Sequence, residues 1–307
     1  MARMAEGEGT SRRGEARFAL RLLRRNPIVL AGLVISAATL ALSLLSPLIV
    51  PQGYWQQQNL DMRLCWNNHV FSWNIANVFD CSGPIYPLGT DSYGRGLLQM
   101  IILAVPVDMQ VALEVVGSAV LIGVSLGSLA AYRGGLVDEV ILRVTDIFLA
   151  IPGILLAIVL IVVLGRSLPT LTVAVLITWW PFYVRLMRSQ VLGEKEKPYV
   201  ERLRAMGAGW TRILFRHIVP NSIYPILVQA TLDIGSVILT VSALTFIGLT
   251  PSPLLPELGN LSNQGIQYIF TAPWLIVFPG LTILTISLGF NLLGDGIRDV
   301  FDPRLRR

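Results

Sequence analysis

The chain has 307 residues, of which 53% are hydrophobic and only 14% are charged, and its mean hydropathy is +0.64. Soluble globular proteins carry about 25% charged residues, so this composition excludes an ordinary soluble domain and indicates a polytopic membrane protein. The net charge of +5 does not indicate nucleic-acid binding, because the Arg residues lie at the ends of apolar segments rather than along one face.

Residues 1–26 form a basic segment with seven Arg and three Glu. This balance predicts a cytoplasmic segment, part of which lies along the inner membrane surface. Pro27 then opens an apolar run that extends to residue 50 and is long enough for a ~30 Å hydrocarbon core. Because the apolar core of a signal peptide has only about 7–15 residues, we predict a retained first transmembrane helix over 27–50.

Residues 51–98 are polar, aromatic and rich in turn formers, which predicts an extracytoplasmic loop. Its many aromatic side chains fit either a belt at the outer membrane interface or a docking surface for an extracytoplasmic partner. The two cysteines of the chain, Cys65 and Cys81, both lie in this loop. An oxidising exterior favours a disulfide between them, which the chain-entropy model values at about 3 kcal/mol.

Residues 99–307 contain five further apolar segments. We predict spans at about 101–132, 140–164, 170–187, 223–249 and 274–293, with a kink at Pro152 in the third span and a break at 178–181 in the fourth. Asp108 and Glu114 lie near the outer end of the second span, where a functional role and a water-exposed helix end are equally consistent with the sequence. Asp146 fits a role in helix packing or an ion pair with Arg143.

Three side chains within the predicted spans are candidates to line a translocation path: Glu114, Trp179 and Asp233. Carboxylates inside membrane segments are costly and usually functional, which singles out Glu114 and Asp233. Trp179 belongs to the aromatic residues at the predicted break in the fourth span.

The distribution of basic residues sets the predicted topology. Twenty-one of the 24 Lys and Arg lie in segments assigned to the inside, and three lie in segments assigned to the outside. The six apolar segments predict an all-α integral membrane protein with six transmembrane helices. The strong positive-inside bias predicts that both termini lie in the cytoplasm.

The loop at 194–220 is a polar island between long apolar runs. Eight Lys and Arg lie between Arg185 and Arg216, so the loop is predicted to face the cytoplasm. The sequence predicts a short helix at about 201–206, a break at 207–209 and a second helix that ends before Pro220. Such a helix-turn-helix at the base of a membrane bundle is suited to transmitting motion from a soluble partner.

No pattern in the sequence indicates an enzyme. The only lysines, Lys195 and Lys197, do not end a Gly-x-x-x-x-Gly-Lys-Ser/Thr nucleotide-binding loop. Two His and two Cys, scattered along the chain, do not suggest a metal site, and His217 taken alone fits a structural residue at a helix end. We therefore expect no cofactor in this chain, and any ATP that the system uses must bind to another polypeptide.

The 194–220 loop resembles the Glu-Ala-Ala coupling loop of ATP-binding cassette (ABC) importer permeases. The residues that carry the resemblance are Glu201, Gly207 and the sequence His-Ile-Val-Pro-Asn at 217–221, although Arg202 and Leu203 stand where the motif has two alanines. Further segments, in family order, resemble the second (C-type) membrane subunit of dipeptide and oligopeptide importers: 87–95, 144–152, 229–235, 244–249, 271–274 and 290–304.

This resemblance implies a type I ABC importer permease fold in the cell membrane, with a cytoplasmic coupling helix. The implied partners are a homologous second permease, two ATPase subunits or domains that bind ATP and Mg²⁺, and an extracytoplasmic substrate-binding protein. Carried over by position, the ATPase-coupling residues are Tyr199, Glu201, Ala205, Gly207, His217 and Pro220.

The resemblance implies import of di- or oligopeptides, while relatives that carry oligosaccharides, nickel chelates or glutathione leave the cargo open. A secondary transporter that works alone is the alternative from a different class. It would need internal repeats with broken helices and more carboxylates near the membrane midplane than this sequence offers.

Overall fold

The computed structural model describes residues 27–51, 53–56 and 86–301, and every regular element in these ranges is helical. The basic segment 1–26, Cys65 and Cys81, and the residues after 301 lie outside the described residues. The α-helices are α1 (Pro27–Ile49), α2 (Leu97–Arg133), α3 (Gly135–Leu149), α4 (Gly153–Leu164), α5 (Leu168–Lys195), α6 (Pro198–Ala205), α7 (Trp210–Ile213), α8 (Val219–Ser222), α9 (Tyr224–Phe246), α10 (Leu258–Gly265) and α11 (Trp274–Phe301).

Five of these helices are long and apolar enough to cross a membrane: α1, α2, α5, α9 and α11. Each has at least 23 residues, whereas a ~30 Å hydrocarbon core needs about 20. Helices α3 and α4 meet the same criteria together, but their axes differ by 82°. The prediction of an all-helical membrane protein is confirmed, and the sixth span is this bent pair counted as one.

The predicted kink at Pro152 is confirmed, and its 82° bend divides the third span into α3 and α4. The residue before a proline is driven towards extended conformations, and proline itself offers no N–H to a preceding helical turn. Pro152 has φ −54° and ψ 123° and does not continue α3. Its carbonyl accepts the N–H groups of Leu155 and Leu156, at 3.0 and 3.1 Å, and so starts α4 in a new direction.

Helix α5 shows the opposite outcome, because it continues through the predicted break at 178–181. Pro181 is buried inside this 28-residue helix. Membrane helices tolerate an internal proline when side-chain hydroxyls and neighbouring helices compensate for the lost backbone hydrogen bond. Helix α5 packs against α2, α3 and α4, and these neighbours hold it in shape around Pro181.

Close packing of α2 on α5 forms the centre of the bundle. A Cβ atom added to Gly123 would lie 2.2 Å from Cβ of Tyr183, and one added to Gly127 would lie 2.5 Å from the carbonyl oxygen of Val184. The two glycines have the Gly-x-x-x-Gly spacing that lets membrane helices approach closely. Since lipid provides no hydrophobic force between helices, van der Waals contact of this kind holds the pair together.

Glycines also allow α11 to approach its two neighbours. A Cβ atom on Gly289 would lie 2.4 Å from Cγ2 of Ile35 in α1, and one on Gly235 of α9 would lie 2.8 Å from the carbonyl oxygen of Ser287 in α11. Helix α11 therefore joins α1 to α9, and a glycine at each of the two contacts sets the spacing.

Ion pairs fix α3 beside the end of α5 that leads into the 194–220 loop. Arg188 donates from Nε and Nη2 to the two carboxylate oxygens of Asp138, each at 2.6 Å. Arg185 pairs with Asp146. The expected pair between Asp146 and Arg143 is wrong, because Arg143 faces Glu139 at 3.8 Å, four residues earlier in the same helix.

A compact turn closes the opposite end of the bundle. The guanidinium of Arg95, only 2% exposed, donates to Asp91 at 2.7 Å from Nε and to the carbonyl of Leu254 at 3.3 Å from Nη1. The indole of Trp274 donates to the carbonyl of Thr90 at 3.3 Å. The segment 86–96 thereby ties the start of α2 to the start of α11.

Asp108 has a structural role at this end and is not a water-exposed residue. Its Oδ2 accepts the backbone N–H of Leu258 at 3.1 Å, and the carboxylate of Glu257 accepts the N–H groups of Gly259 and Asn260 at 2.9 and 2.7 Å. These two buried carboxyl groups thus accept the N–H groups at the start of α10. The first N–H groups of a helix have no carbonyl partner within the helix. Burial raises the pKa of Glu257.

We predict that Gly123→Ala lowers the free energy of unfolding by about 1–3 kcal/mol, the usual cost of overpacking a tight interface. The added methyl group would overlap Tyr183 and push α2 away from α5. Thermal unfolding of the protein in detergent measures this loss.

The matched control is Gly117→Ala in the same helix, where an added Cβ meets no atom within 4 Å. Equal stability of the two variants would show that the contact between α2 and α5 does not limit stability.

Candidate functional site

The first helix that lies wholly within the 194–220 loop is α6, an eight-residue helix that ends in a glycine turn. Gly207 has φ +75°, a left-handed conformation that glycine adopts without a Cβ clash. Its N–H donates to the carbonyl of Arg204 at 2.9 Å, and the N–H of Ala208 donates to that of Leu203 at 3.1 Å. These two bonds form a Schellman motif, which ends α6 and reverses the chain.

The second half of the loop is one helical run that passes through Pro220. It comprises α7, a π-helical turn at Leu214–Ile218, and α8 at Val219–Ser222. The expected end before Pro220 is therefore wrong. The wider π turn comes directly before the proline, where an ordinary turn would bring the ring against a carbonyl. Pro225 lies in the first turn of α9.

Glu194 anchors the start of α6 to α5. Its Oε1 accepts the hydroxyl of Tyr199 at 2.8 Å, its Oε2 pairs with Lys197 at 2.5 Å, and only 7% of the residue is exposed. Burial raises the pKa of Tyr199, so the phenol keeps its proton and remains a donor. The side chain of Asn221 donates to the same phenol oxygen at 3.4 Å, so Tyr199 joins both ends of the loop.

A second anchor ties the loop to the last turn of α2. The Nζ of Lys195 donates to the carbonyls of Ala131 and Tyr132 at 3.1 and 3.0 Å, which are among the carbonyls that a helix end leaves free. The guanidinium of Arg133 lies 4.4 Å from the ring centroid of Trp210, a cation–π contact. The loop is thus fixed to both α2 and α5.

The opposite face of α6 is open. Glu201, Ala205 and Gly207 are exposed, and so is Met206, at 74%. Within the described part of the chain, Glu201 forms no ion pair and no side-chain hydrogen bond. Of the other predicted coupling residues, His217 is half-buried in the π turn and Pro220 is exposed.

A separate cavity of about 310 Å³ lies in the membrane-spanning part, between α4, α5 and α9. Trp179 and Asp233, two of the three residues predicted for a translocation path, line it. Glu114 lies elsewhere: it is exposed on α2 and accepts a hydrogen bond from Gln110 at 2.9 Å. The lining residues are Gly153, Ile154, Thr178, Trp179, Phe182, Gln229, Asp233 and Thr240.

Asp233 is held by hydrogen bonds from two helices. Its Oδ2 accepts the hydroxyl of Tyr183 at 2.6 Å, and its Oδ1 accepts the side-chain amide of Gln229 at 3.0 Å. Tyr183, Gln229 and Glu194 were not predicted as site residues from the sequence. Gln229 had a local signal, because it precedes Asp233 by one helical turn.

The family comparison agrees with these features. A model of the family described as "Binding-protein-dependent transport system inner membrane component" matches residues 123–307. The chain belongs to this family. The match includes α5, the whole 194–220 loop and α9, so it spans both the loop and the cavity.

Relatives along most of the chain have names from the same class of transporter. The dipeptide transport system permease protein DppC of Alkalihalophilus pseudofirmus is 35% identical over 94% of this chain and 90% of its own length. The oligopeptide transport system permease protein OppC of Bacillus subtilis is 32% identical over 92% and 88%. The glutathione transport system permease protein GsiD of Pectobacterium atrosepticum is 38% identical over 78% and 82%.

As a member of this family, the chain is a multi-pass inner-membrane permease subunit of an ABC importer, with the type I permease fold. The predicted family, fold class and membrane location are confirmed. The roles of individual residues in coupling and translocation remain predictions.

We predict that Gly207→Ala loosens the turn after α6. The left-handed conformation costs a residue with a Cβ about 1–2 kcal/mol. If the turn opens locally, this cost corresponds to roughly 5–30-fold faster amide exchange. Hydrogen–deuterium exchange of residues 203–213 measures the change.

Gly209→Ala serves as the control, because Gly209 has φ −62° and open space around it. If both variants exchanged at the wild-type rate, the left-handed turn would not be what holds α6 in place.

Proposed function

We propose that this chain forms half of the translocation pore of an ATP-driven importer of di- and oligopeptides, and that the face of α6 with Glu201 contacts an ATPase. In this machine, a homologous second permease completes the pore and an extracytoplasmic binding protein delivers the peptide. ATP and Mg²⁺ bind to two ATPase subunits or domains, since neither lysine of this chain belongs to a nucleotide-binding loop.

The names of the relatives support peptides as the cargo. Permeases of dipeptide and oligopeptide systems match this chain over more than nine-tenths of its length. Glutathione is the second candidate, because a permease of a glutathione system is 38% identical over 78% of the chain.

The observation that carries the proposed coupling role is the contrast between the two faces of α6. One face is fixed through Tyr199 to Glu194, and the other presents Glu201 without any partner in the described residues. A free carboxylate on a short, anchored helix is suited to basic or amide groups in a cleft of a soluble protein. Met206, the exposed residue that follows α6, adds apolar surface at the end of this helix.

The anchors explain how movement of α6 would reach the membrane. When ATP closes the ATPase dimer, a helix held in its cleft moves with it. Tyr199 passes this movement to Glu194 at the end of α5, and Trp210 passes it to Arg133 at the end of α2. Phe182, which lines the cavity, is twelve residues before Glu194 in the same helix, or about 18 Å at ~1.5 Å per residue.

The proposed orientation places the 194–220 loop and both termini in the cytoplasm. The basic residues support it, since only three of the 24 Lys and Arg lie in segments assigned to the outside. In this orientation α6 faces the side where ATP is available, and the turn at 86–96 faces the binding protein.

We predict that Glu201→Lys leaves the complex assembled in the membrane but lowers transport at least about tenfold. Reversing this charge replaces an attraction to the ATPase cleft with a repulsion, at a cost of more than about 1.4 kcal/mol. Uptake of a labelled dipeptide by reconstituted vesicles, with binding protein and ATP present, measures the effect.

The control is Glu139→Lys, an equal charge reversal on α3, at a carboxylate that is 62% exposed. Wild-type uptake by Glu201→Lys would refute the coupling role of α6. An equal loss in both variants would point to a general effect of charge.

A further inference from the structure

The cavity between α4, α5 and α9 contains an acidic group without a positive partner. Asp233 lies ten residues into the apolar helix α9 and is only 7% exposed. No Lys, Arg or His in the described part of the chain forms an ion pair with it. Carboxylates inside membrane segments generally pair with a counter-charge or mark a substrate or ion path.

Asp233 accepts hydrogen bonds from two neutral side chains. Tyr183 donates to its Oδ2 at 2.6 Å and Gln229 to its Oδ1 at 3.0 Å. A carboxylate has about four acceptor positions, so these two donors leave positions open for a ligand. These neutral donors spread the charge but do not cancel it.

The other walls of the cavity suit an organic cation. Trp179 and Phe182 line it beside Asp233, and aromatic rings attract cations through their negative faces. The volume of about 310 Å³ is at the lower end of small-molecule sites, about 300–1,000 Å³. A small ligand with one ammonium group matches both the size and the charge.

We propose that this cavity binds the α-ammonium group of a peptide in transit, with Asp233 as its counter-charge and Trp179 and Phe182 as its aromatic wall. This inference rests on the proposed peptide import and adds to it a chemical selection inside the membrane, separate from the binding protein. A peptide with a free amino terminus is retained at this point, and one with a blocked terminus is not.

The test is equilibrium binding of labelled dialanine and of labelled N-acetyl-dialanine to the purified complex, without binding protein. We expect the wild-type complex to bind dialanine at least about tenfold more tightly, because the charge-assisted hydrogen bond forms only with the free amine. Asp233→Asn removes the charge at nearly constant volume and should abolish this preference. Asp233→Glu keeps the charge and should restore part of it.

Glu114→Gln is the matched control, because it removes a carboxylate from α2 outside the cavity, and it should keep the wild-type preference. The inference is overturned if the wild-type complex binds both peptides alike or not at all, or if Asp233→Asn retains the preference. The inference would also be overturned if sodium chloride displaced labelled dialanine more effectively than choline chloride does. The site would then select an inorganic cation. Where Asp233→Asn does not assemble, the wild-type comparison and Asp233→Glu still decide.

ATP-dependent uptake of dialanine by the reconstituted wild-type complex separates this inference from the proposed function. Uptake without any preference in binding contradicts only the role of Asp233. A complex that imports no peptide contradicts the proposed function itself.

Discussion

The contact of Tyr183 with α2 and α9 is the constraint on which the rest of the structure depends. Its Cβ lies so close to Gly123 that no side chain fits at position 123. Its hydroxyl donates to Asp233 at 2.6 Å. One fully buried residue of α5 therefore sets the spacing to α2 and holds the carboxylate of α9. Close packing of this kind replaces the hydrophobic effect, which does not act between helices in lipid.

The two candidate sites lie on one continuous helix. Helix α5 contributes Trp179 and Phe182 to the cavity and ends at the anchor formed by Glu194 and Tyr199. Its continuity through Pro181 matters for this reason, since a broken helix would separate the two sites mechanically. The ion pair of Arg188 with Asp138 attaches α3 to α5. Helix α3 therefore moves with the end of α5 that leads into the 194–220 loop.

The sequence predicted the features that depend on local chemistry. Apolar length identified the spans, and Gly207 identified the turn after α6, because only glycine adopts the left-handed conformation freely. The Gly-x-x-x-Gly spacing of Gly123 and Gly127 was also visible in the sequence, but it does not name its partner. Tyr183 is 60 residues away along the chain, and only the fold brings the two helices together.

Predictions failed where tertiary packing decided between local alternatives. A kink at Pro152 and a break at 178–181 were both predicted, yet the helix bends only at Pro152, and α5 continues through Pro181. Asp108 was assigned by its position near a span end, whereas its role comes from the N-terminus of α10, 150 residues later. The pairing of Asp233 with Tyr183 likewise joins residues 50 positions apart, a distance at which sequence periodicity gives no information.

Native mass spectrometry of the complex purified through this chain tests the central claim most directly. The claim is that α6 and the bundle above it work as one part of a larger machine. We expect a mass that contains this chain, a second permease and two ATPase subunits or domains, with peptide retained when the binding protein is present. A single chain that survives gentle extraction without these partners would contradict the claim.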